Sequence, residues 1–322
     1  MLRRLMLEEC HLRAAFARPG LITFKFDGPA DPNAPRPHPL VRTWGISLGF
    51  AKGVEELEQA LAKIPCPVVQ VMAGEAGAKG HVPPTILDVW ESHAKQAREA
   101  IALTYQDRVR WTEPQVGEPV LEVIVRPDEP WVLAWHLHGR GRGPLPGAAW
   151  DLPFPSDAPS RSWAKLEELI RWSGLQLRKG ETVLEIGSSP GGASVALLDR
   201  GLKVCSVDPR PVVLPERLQS APFVQLFSLI ERCPRENFPE KVDWIVVDMG
   251  VSAPVAVHAL SKITPIYRHR LRGMLITLKL NEWALAERLP ALLRQVRELG
   301  FSKVEAANLP AFRQEIGVVA LP

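Results

Sequence analysis

Hydrophobic and polar positions alternate in two different ways along this 322-residue chain. From Trp150 onward, short apolar runs alternate with helical spacing. Thr182–Ile186, Lys203–Val207, Phe223–Leu226, Trp244–Val247 and Met274–Leu278 each read as a strand. Ala193–Asp199 begins a helix after the first run, and Pro290–Leu299 is a helix with proline suited to its first turn. Further strands are expected near Val304–Ala306 and Gly317–Leu321. Buried runs interleaved with helices predict an α/β, Rossmann-like, mostly parallel sheet with helices on both faces. Before Trp150 the pattern is irregular. Ile86–Tyr105 has helical spacing, with Ile86, Val89, Trp90, Ala97, Ile101 and Tyr105 on one face. Val120–Val125 and Trp131–His138 read as strands joined by a turn at Pro127-Asp128-Glu129-Pro130, and Val41–Phe50 as another strand. Together these predict a smaller N-terminal α+β domain over residues 1–145, followed by an α/β domain over residues 146–322.

Asp31 to Pro39 must be a loop, because its closely spaced prolines forbid helix and central strand. Gly139-Arg140-Gly141-Arg142-Gly143-Pro144 reads as a linker or mobile loop, a solvated hinge or a place where two arginines meet phosphates. The net charge of +3 permits a nucleic-acid partner without requiring one. Cys10, Cys66, Cys205 and Cys233 form no C-x-x-C pair, which points to reduced thiols and a cytoplasmic protein rather than a zinc site. No apolar run is long enough to span a bilayer. Glu8, Glu9, Cys10 and His11 read as a helix surface, His136 and His138 as one face of a surface strand, and the ten tryptophans mostly as core or interface fillers.

The chemistry concentrates at strand ends. Val183-Leu184-Glu185-Ile186 runs into Gly187-Ser188-Ser189-Pro190-Gly191-Gly192, a glycine-rich turn through which backbone can approach a ligand. Asp208 ends the next strand, about twenty residues on, where an acid accepts both hydroxyls of a ribose. The turn lacks G-x-G-x-x-G spacing, which favours a nucleoside without a pyrophosphate, such as S-adenosylmethionine. Cofactor contacts are therefore expected from Glu185, Gly187, Ser189, Pro190, Gly191, Gly192, Asp208 and Asp248. Lys165, Asp248, Lys279 and Glu315 lie at element ends that can converge on one sheet edge. Alone, Asp248 reads as a helix cap, Lys279 as a lysine reaching solvent and Glu315 as a surface residue. As a set, with Lys279 near a second cation and in low dielectric, they predict a lysine of lowered pKa that deprotonates or steers a hydroxyl, without a metal. Arg140, Arg142 and Arg161 are the expected RNA contacts.

In order and context, these four residues resemble the K-D-K-E tetrad of FtsJ-type 2′-O-ribose RNA methyltransferases. Phe154 to Ser162 with Lys165-Leu166-Glu167-Glu168, Leu278-Lys279-Leu280 and Arg313-Gln314-Glu315 are similar to segments of the ribosomal RNA large-subunit methyltransferase M family. The resemblance covers about Leu152 to Leu321 and implies a class I methyltransferase sheet, S-adenosylmethionine as methyl donor and a cytidine ribose of 23S rRNA as target. It further implies a THUMP-like RNA-binding domain before the catalytic one, matched only loosely here. Ala193 stands where the family has tryptophan, and Leu226-Phe227-Ser228-Leu229 where it has an acidic residue near the adenine. The same chemistry on tRNA or another RNA, a non-catalytic RNA-binding assembly factor and a small-molecule methyltransferase stay open as alternatives.

Overall fold

The computed structural model describes residues 4–6, 12–25, 27–74 and 83–322. The reading of Glu8, Glu9, Cys10 and His11 lies outside them. The chain forms two compact units, Met1–Asp151 and Leu152–Pro322.

In the N-terminal unit, β1 (Arg13–Arg18) and β2 (Leu21–Lys25) make an antiparallel ribbon. A four-stranded sheet is built from β3 (Ile46–Ala51), β4 (Val68–Ala73), β5 (Pro119–Val125) and β6 (Trp131–Leu137) in the order β3-β6-β5-β4. Only the β4–β5 pair is parallel. The short helix α1 (Glu58–Leu61) and the long helix α2 (Pro84–Thr104) cover it. Ala97, Ile101 and Tyr105 pack with Leu57, Leu61, Leu121 and Val123. Ile86 and Val89, expected on the same apolar face, are exposed instead, so the core engages only the second half of α2.

The connector after β6 is built into this unit. Arg142 is buried. Its guanidinium lies over the Trp44 ring, 4.2 Å from the centroid, and also donates to the Trp44 carbonyl. Gln70 Nε2 donates to the Pro144 carbonyl at 2.6 Å. A side chain at Gly143 would meet the Ala149 oxygen at 2.1 Å, so glycine is needed there for close packing rather than for freedom. Arg142 is therefore not the solvated hinge arginine expected from the glycines around it. His136 and His138 are likewise buried rather than on a surface strand. Burial, with the nearby Arg142 charge, depresses His136 to about 2 and keeps its ring neutral.

The C-terminal unit is a seven-stranded sheet. Its strands are β7 (Thr182–Ile186), β8 (Lys203–Val207), β9 (Phe223–Leu226), β10 (Trp244–Val247), β11 (Gly273–Lys279), β12 (Lys303–Ala307) and β13 (Glu315–Leu321). The order is β12-β13-β11-β10-β7-β8-β9, a doubly wound sheet whose first four interfaces from β9 are parallel. β13 enters antiparallel to both β11 and β12. The helices are α3 (Ser162–Ser173), α4 (Gly192–Asp199), α5 (Ala253–Tyr267), α6 (Trp283–Glu287) and α7 (Leu289–Glu298). Because strand side chains alternate, Val183, Val204, Val246, Leu275 and Val319 meet α3 and α4 in one core. The intervening Leu184, Ile245, Ile276 and Val318 are as fully buried and face the other way. α5 packs against β11 there, and α7 against β12 and α5.

Helix α3 carries three charged residues into this interior, and each finds a partner, as buried charge requires. Lys165 reaches Asp248 and Glu315, Glu167 pairs with Arg200, and Glu168 accepts the Ala311 amide at 2.7 Å. Gly174, at φ +67°, ends the helix in the left-handed conformation that glycine adopts at no steric cost.

Candidate active site

Parallel packing puts the carboxyl ends of β7, β8, β10 and β11 on one edge of the sheet. Asp248 is the residue after β10, Lys279 is the last of β11, and Glu315 the first of β13. The antiparallel register sets Lys279 directly opposite Glu315. Lys165 enters one turn into α3.

The four side chains meet. Lys165 Nζ donates to Asp248 Oδ1 at 3.0 Å and to Glu315 Oε1 at 3.3 Å. Lys279 Nζ donates to the same Glu315 oxygen at 2.8 Å. Three of the side chains are at most 15% exposed, while Lys279 is 28% exposed and is the member open to a reactant. Ser162, which the sequence did not single out, donates its hydroxyl to Asp248 Oδ2 at 2.6 Å. A serine three residues ahead of Lys165 on one helix shares its face, and that spacing is the signal available in the sequence.

Electrostatics correct one expectation. Burial pulls the Lys279 ammonium down, but the Glu315 hydrogen bond and the charges of Glu315 and Asp248 outweigh it, so its pKa is raised. Lys279 is not a lysine poised to be neutral at neutral pH; it is a fixed cation. Burial pushes Glu315 up, but its bonds to Lys279 and Lys165 prevail and hold it below the usual carboxylate range. Lys165, Lys279, Asp248 and Glu315 thus form one paired network, able to aim a hydroxyl and to accept the proton it sheds as its oxygen forms a new bond.

The glycine turn lies beside this network. Gly187 has φ +81°, and a side chain there would meet the Met249 Cα at 2.7 Å and the Asp248 carbonyl at 2.9 Å. Gly191 has φ +120° and packs on Val212 and Pro159, and Gly192 packs on Ser160 and the Trp163 amide. These glycines bring backbones together around the turn. Asp208 is buried; its oxygens accept the Ser189 amide at 3.1 Å and the Arg210 amide at 2.8 Å. Ser189 Oγ donates to the Pro211 carbonyl, and the Val213 amide to that of Pro190. Gln225 of β9 ties the same loop, accepting from the Val212 amide and donating to the Arg210 carbonyl.

The residues fit a nucleoside cofactor on two observations. Ser188 Oγ, buried at the turn, has no hydrogen-bond partner among the described residues. Asp208 spends two acceptor positions on backbone, leaving lone pairs of a buried carboxylate for hydroxyl donors. Glu185 is a buried residue of β7. It is 1% exposed and accepts the Ser194 hydroxyl at 2.6 Å, so it buttresses the turn from below. A groove of about 650 Å³ lined by Asp157, Pro159, Val213 and Arg217 adjoins Gly191 from outside and includes none of the four converging residues. Arg140 and Arg161 are exposed, and the charge of Arg161 reaches Lys279.

The chain is similar to known proteins. Residues 158–313 match the FtsJ-like methyltransferase family. A ribosomal RNA large subunit methyltransferase M from Alkalilimnicola ehrlichii is 29% identical over 267 residues, covering 74% of this chain and 70% of that protein. A protein of the same name from Proteus mirabilis is 30% identical over 184 residues, covering 52% of this chain and 47% of that protein. Among solved structures, magnesium protoporphyrin IX methyltransferase from Synechocystis PCC 6803 with bound SAH aligns at a TM-score of 0.37 and 13% identity. That alignment covers 52% of this chain and 85% of that one.

Proposed function

We propose that this chain, whose C-terminal unit is an FtsJ-like methyltransferase domain, methylates a ribose 2′-hydroxyl of RNA, and that its target is a cytidine of 23S large-subunit rRNA. The observation that carries this reading is the convergence of Lys165, Asp248, Lys279 and Glu315 from four separate elements. The names of the relatives support the choice of RNA. Covering 74% of the chain, the first likeness extends beyond the C-terminal unit, which holds about half of the residues.

S-adenosylmethionine, when bound, supplies an electrophilic methyl group on a sulfonium centre. Asp208 would accept from the ribose hydroxyls of that cofactor, and the Ser188 hydroxyl and the turn backbone would hold its remainder. Lys279, charged and partly open, steers the substrate hydroxyl. Lys165 and Ser162 hold Asp248, and the two lysines hold Glu315 ionised, so the proton leaves the hydroxyl toward carboxylate rather than toward a neutral amine. The N-terminal unit grips RNA, with Arg140 on that unit and Arg161 beside the site as phosphate contacts.

Ribose methylation mapped across total RNA from cells with and without the protein tests this. One 23S rRNA nucleotide losing its 2′-O-methyl group is the expected result. Loss confined to tRNA would move the target, and an unchanged map would remove the activity.

A further inference from the structure

Trp283 departs from every other tryptophan in the chain. The other nine are buried or partly covered, whereas Trp283 is 74% exposed. A single apolar side chain at a surface needs no explanation by itself. The position of this one does. It comes four residues after Lys279, within about 14 Å along even a fully extended chain. β11 runs parallel to β10 and β7, so Lys279 and the residues after it leave the sheet at the edge where the four charged residues meet.

The segment is held in place. The Leu280 amide donates to the Gln314 carbonyl at 2.8 Å, extending the β11–β13 pairing one step past Lys279. Leu285 and Ala286 anchor α6 in the core. Between these two fixings, Asn281, Glu282, Trp283 and Ala284 are all exposed. A flat, rigid indole is thus presented from a pinned segment at the rim of the site. A ribose hydroxyl can be aimed only if its nucleotide is immobilised, and the four charged side chains offer nothing to hold a base. Aromatic faces hold unpaired bases by stacking, whatever the base.

We propose that Trp283 is the stacking platform for an unpaired base of the RNA substrate, either the target nucleotide or its neighbour, and so holds the RNA at the site. The proposal rests on the RNA 2′-O-methyltransferase reading above.

The test uses the full chain with large-subunit rRNA lacking the modification, in a labelled-methyl transfer assay, alongside calorimetry with S-adenosylmethionine. Stacking holds ground state and transition state alike, so it acts on KM. Trp283→Ala should raise KM for RNA on the order of tenfold or more, leave kcat within a few-fold, and leave cofactor affinity unchanged. Trp283→Phe, which keeps an aromatic face, should restore most of the loss. An unchanged KM in Trp283→Ala overturns the proposal, as does a phenylalanine variant as impaired as the alanine one. A matching loss of cofactor affinity also overturns it, by placing the indole in the cofactor site. If the unaltered chain transfers no methyl group to any RNA, the functional reading fails first and this proposal with it.

Discussion

At the scale of single residues, the site is defined by what its charges do to one another. A lysine in low dielectric should lose its proton easily, and from the sequence Lys279 reads that way. What reverses the sign is Glu315, 2.8 Å away across an antiparallel pair. That pairing is a long-range fact that no local pattern encodes. The consequence is measurable. With its pKa raised, Lys279 stays charged through neutrality, so kcat/KM for RNA should be nearly flat between about pH 6.5 and 8.5. A tenfold rise per pH unit would mean instead that the neutral amine is the working form. Lys279→Ala should lower transfer on the order of a hundredfold or more while calorimetry finds cofactor binding unchanged. Wild-type turnover by that variant would end its role.

Glu185 gives a second residue-level test. Burial raises its carboxyl to about 8, against the help of the Ser194 hydroxyl and with the charges of Asp248 and Asp208 adding to the shift. The folded state therefore holds a proton that the unfolded chain, with an ordinary glutamate, has released. Stability should fall as pH rises from about 4.5 to about 8, by at most about 1.4 kcal/mol per pH unit. Glu185→Gln, which mimics the protonated acid, should flatten denaturant-midpoint curves over that window. A variant whose curve keeps the wild-type slope would assign the pH dependence to another group.

At the scale of elements, β7, β8, β10 and β11 were legible because each is a short apolar run closed by a glycine or a charged residue. The edge they share follows from parallel packing alone. The reversal of β13 was not legible, since its direction is fixed by pairing with β11 and β12 rather than by its own pattern. Helix α5 was missed because its polar face carries only His258, Ser261 and Lys262, and Pro265 interrupts the pattern. β4, after Pro65-Cys66-Pro67, was hidden by its prolines. The connector around Arg142 misled because glycine marks close approach as readily as freedom. Gly187 shows the same principle at the site. Its φ of +81° and the 2.7 Å approach to the Met249 Cα join the exits of β7 and β10. Gly187→Ala should destabilise the C-terminal unit by about 1–3 kcal/mol and, by displacing Asp248, lower kcat. Denaturant titration read beside turnover checks both. A variant as stable and active as wild type would show that the two exits can part without cost.

At the scale of the whole molecule, the chain has two units with separate cores. The four converging residues, the glycine turn and Asp208 all belong to residues 152–322, so on the proposed reading cofactor and chemistry sit in that unit. Choice of RNA needs more, because a ribose hydroxyl is the same at every nucleotide and cannot by itself mark one target. The proposed reading gives that choice to the N-terminal unit, and phosphate contacts from basic residues there would make RNA affinity fall steeply with salt. A chain beginning at Leu152 should bind S-adenosylmethionine as tightly as the full chain and methylate rRNA far more slowly, through a raised KM. The full chain's KM for RNA should climb with added salt more steeply than that of the shortened one, since the lost phosphate contacts set the slope. Equal rates at the same nucleotide for both chains would leave the N-terminal unit some other task, and equal salt slopes would put the phosphate contacts on the C-terminal unit, around Arg161.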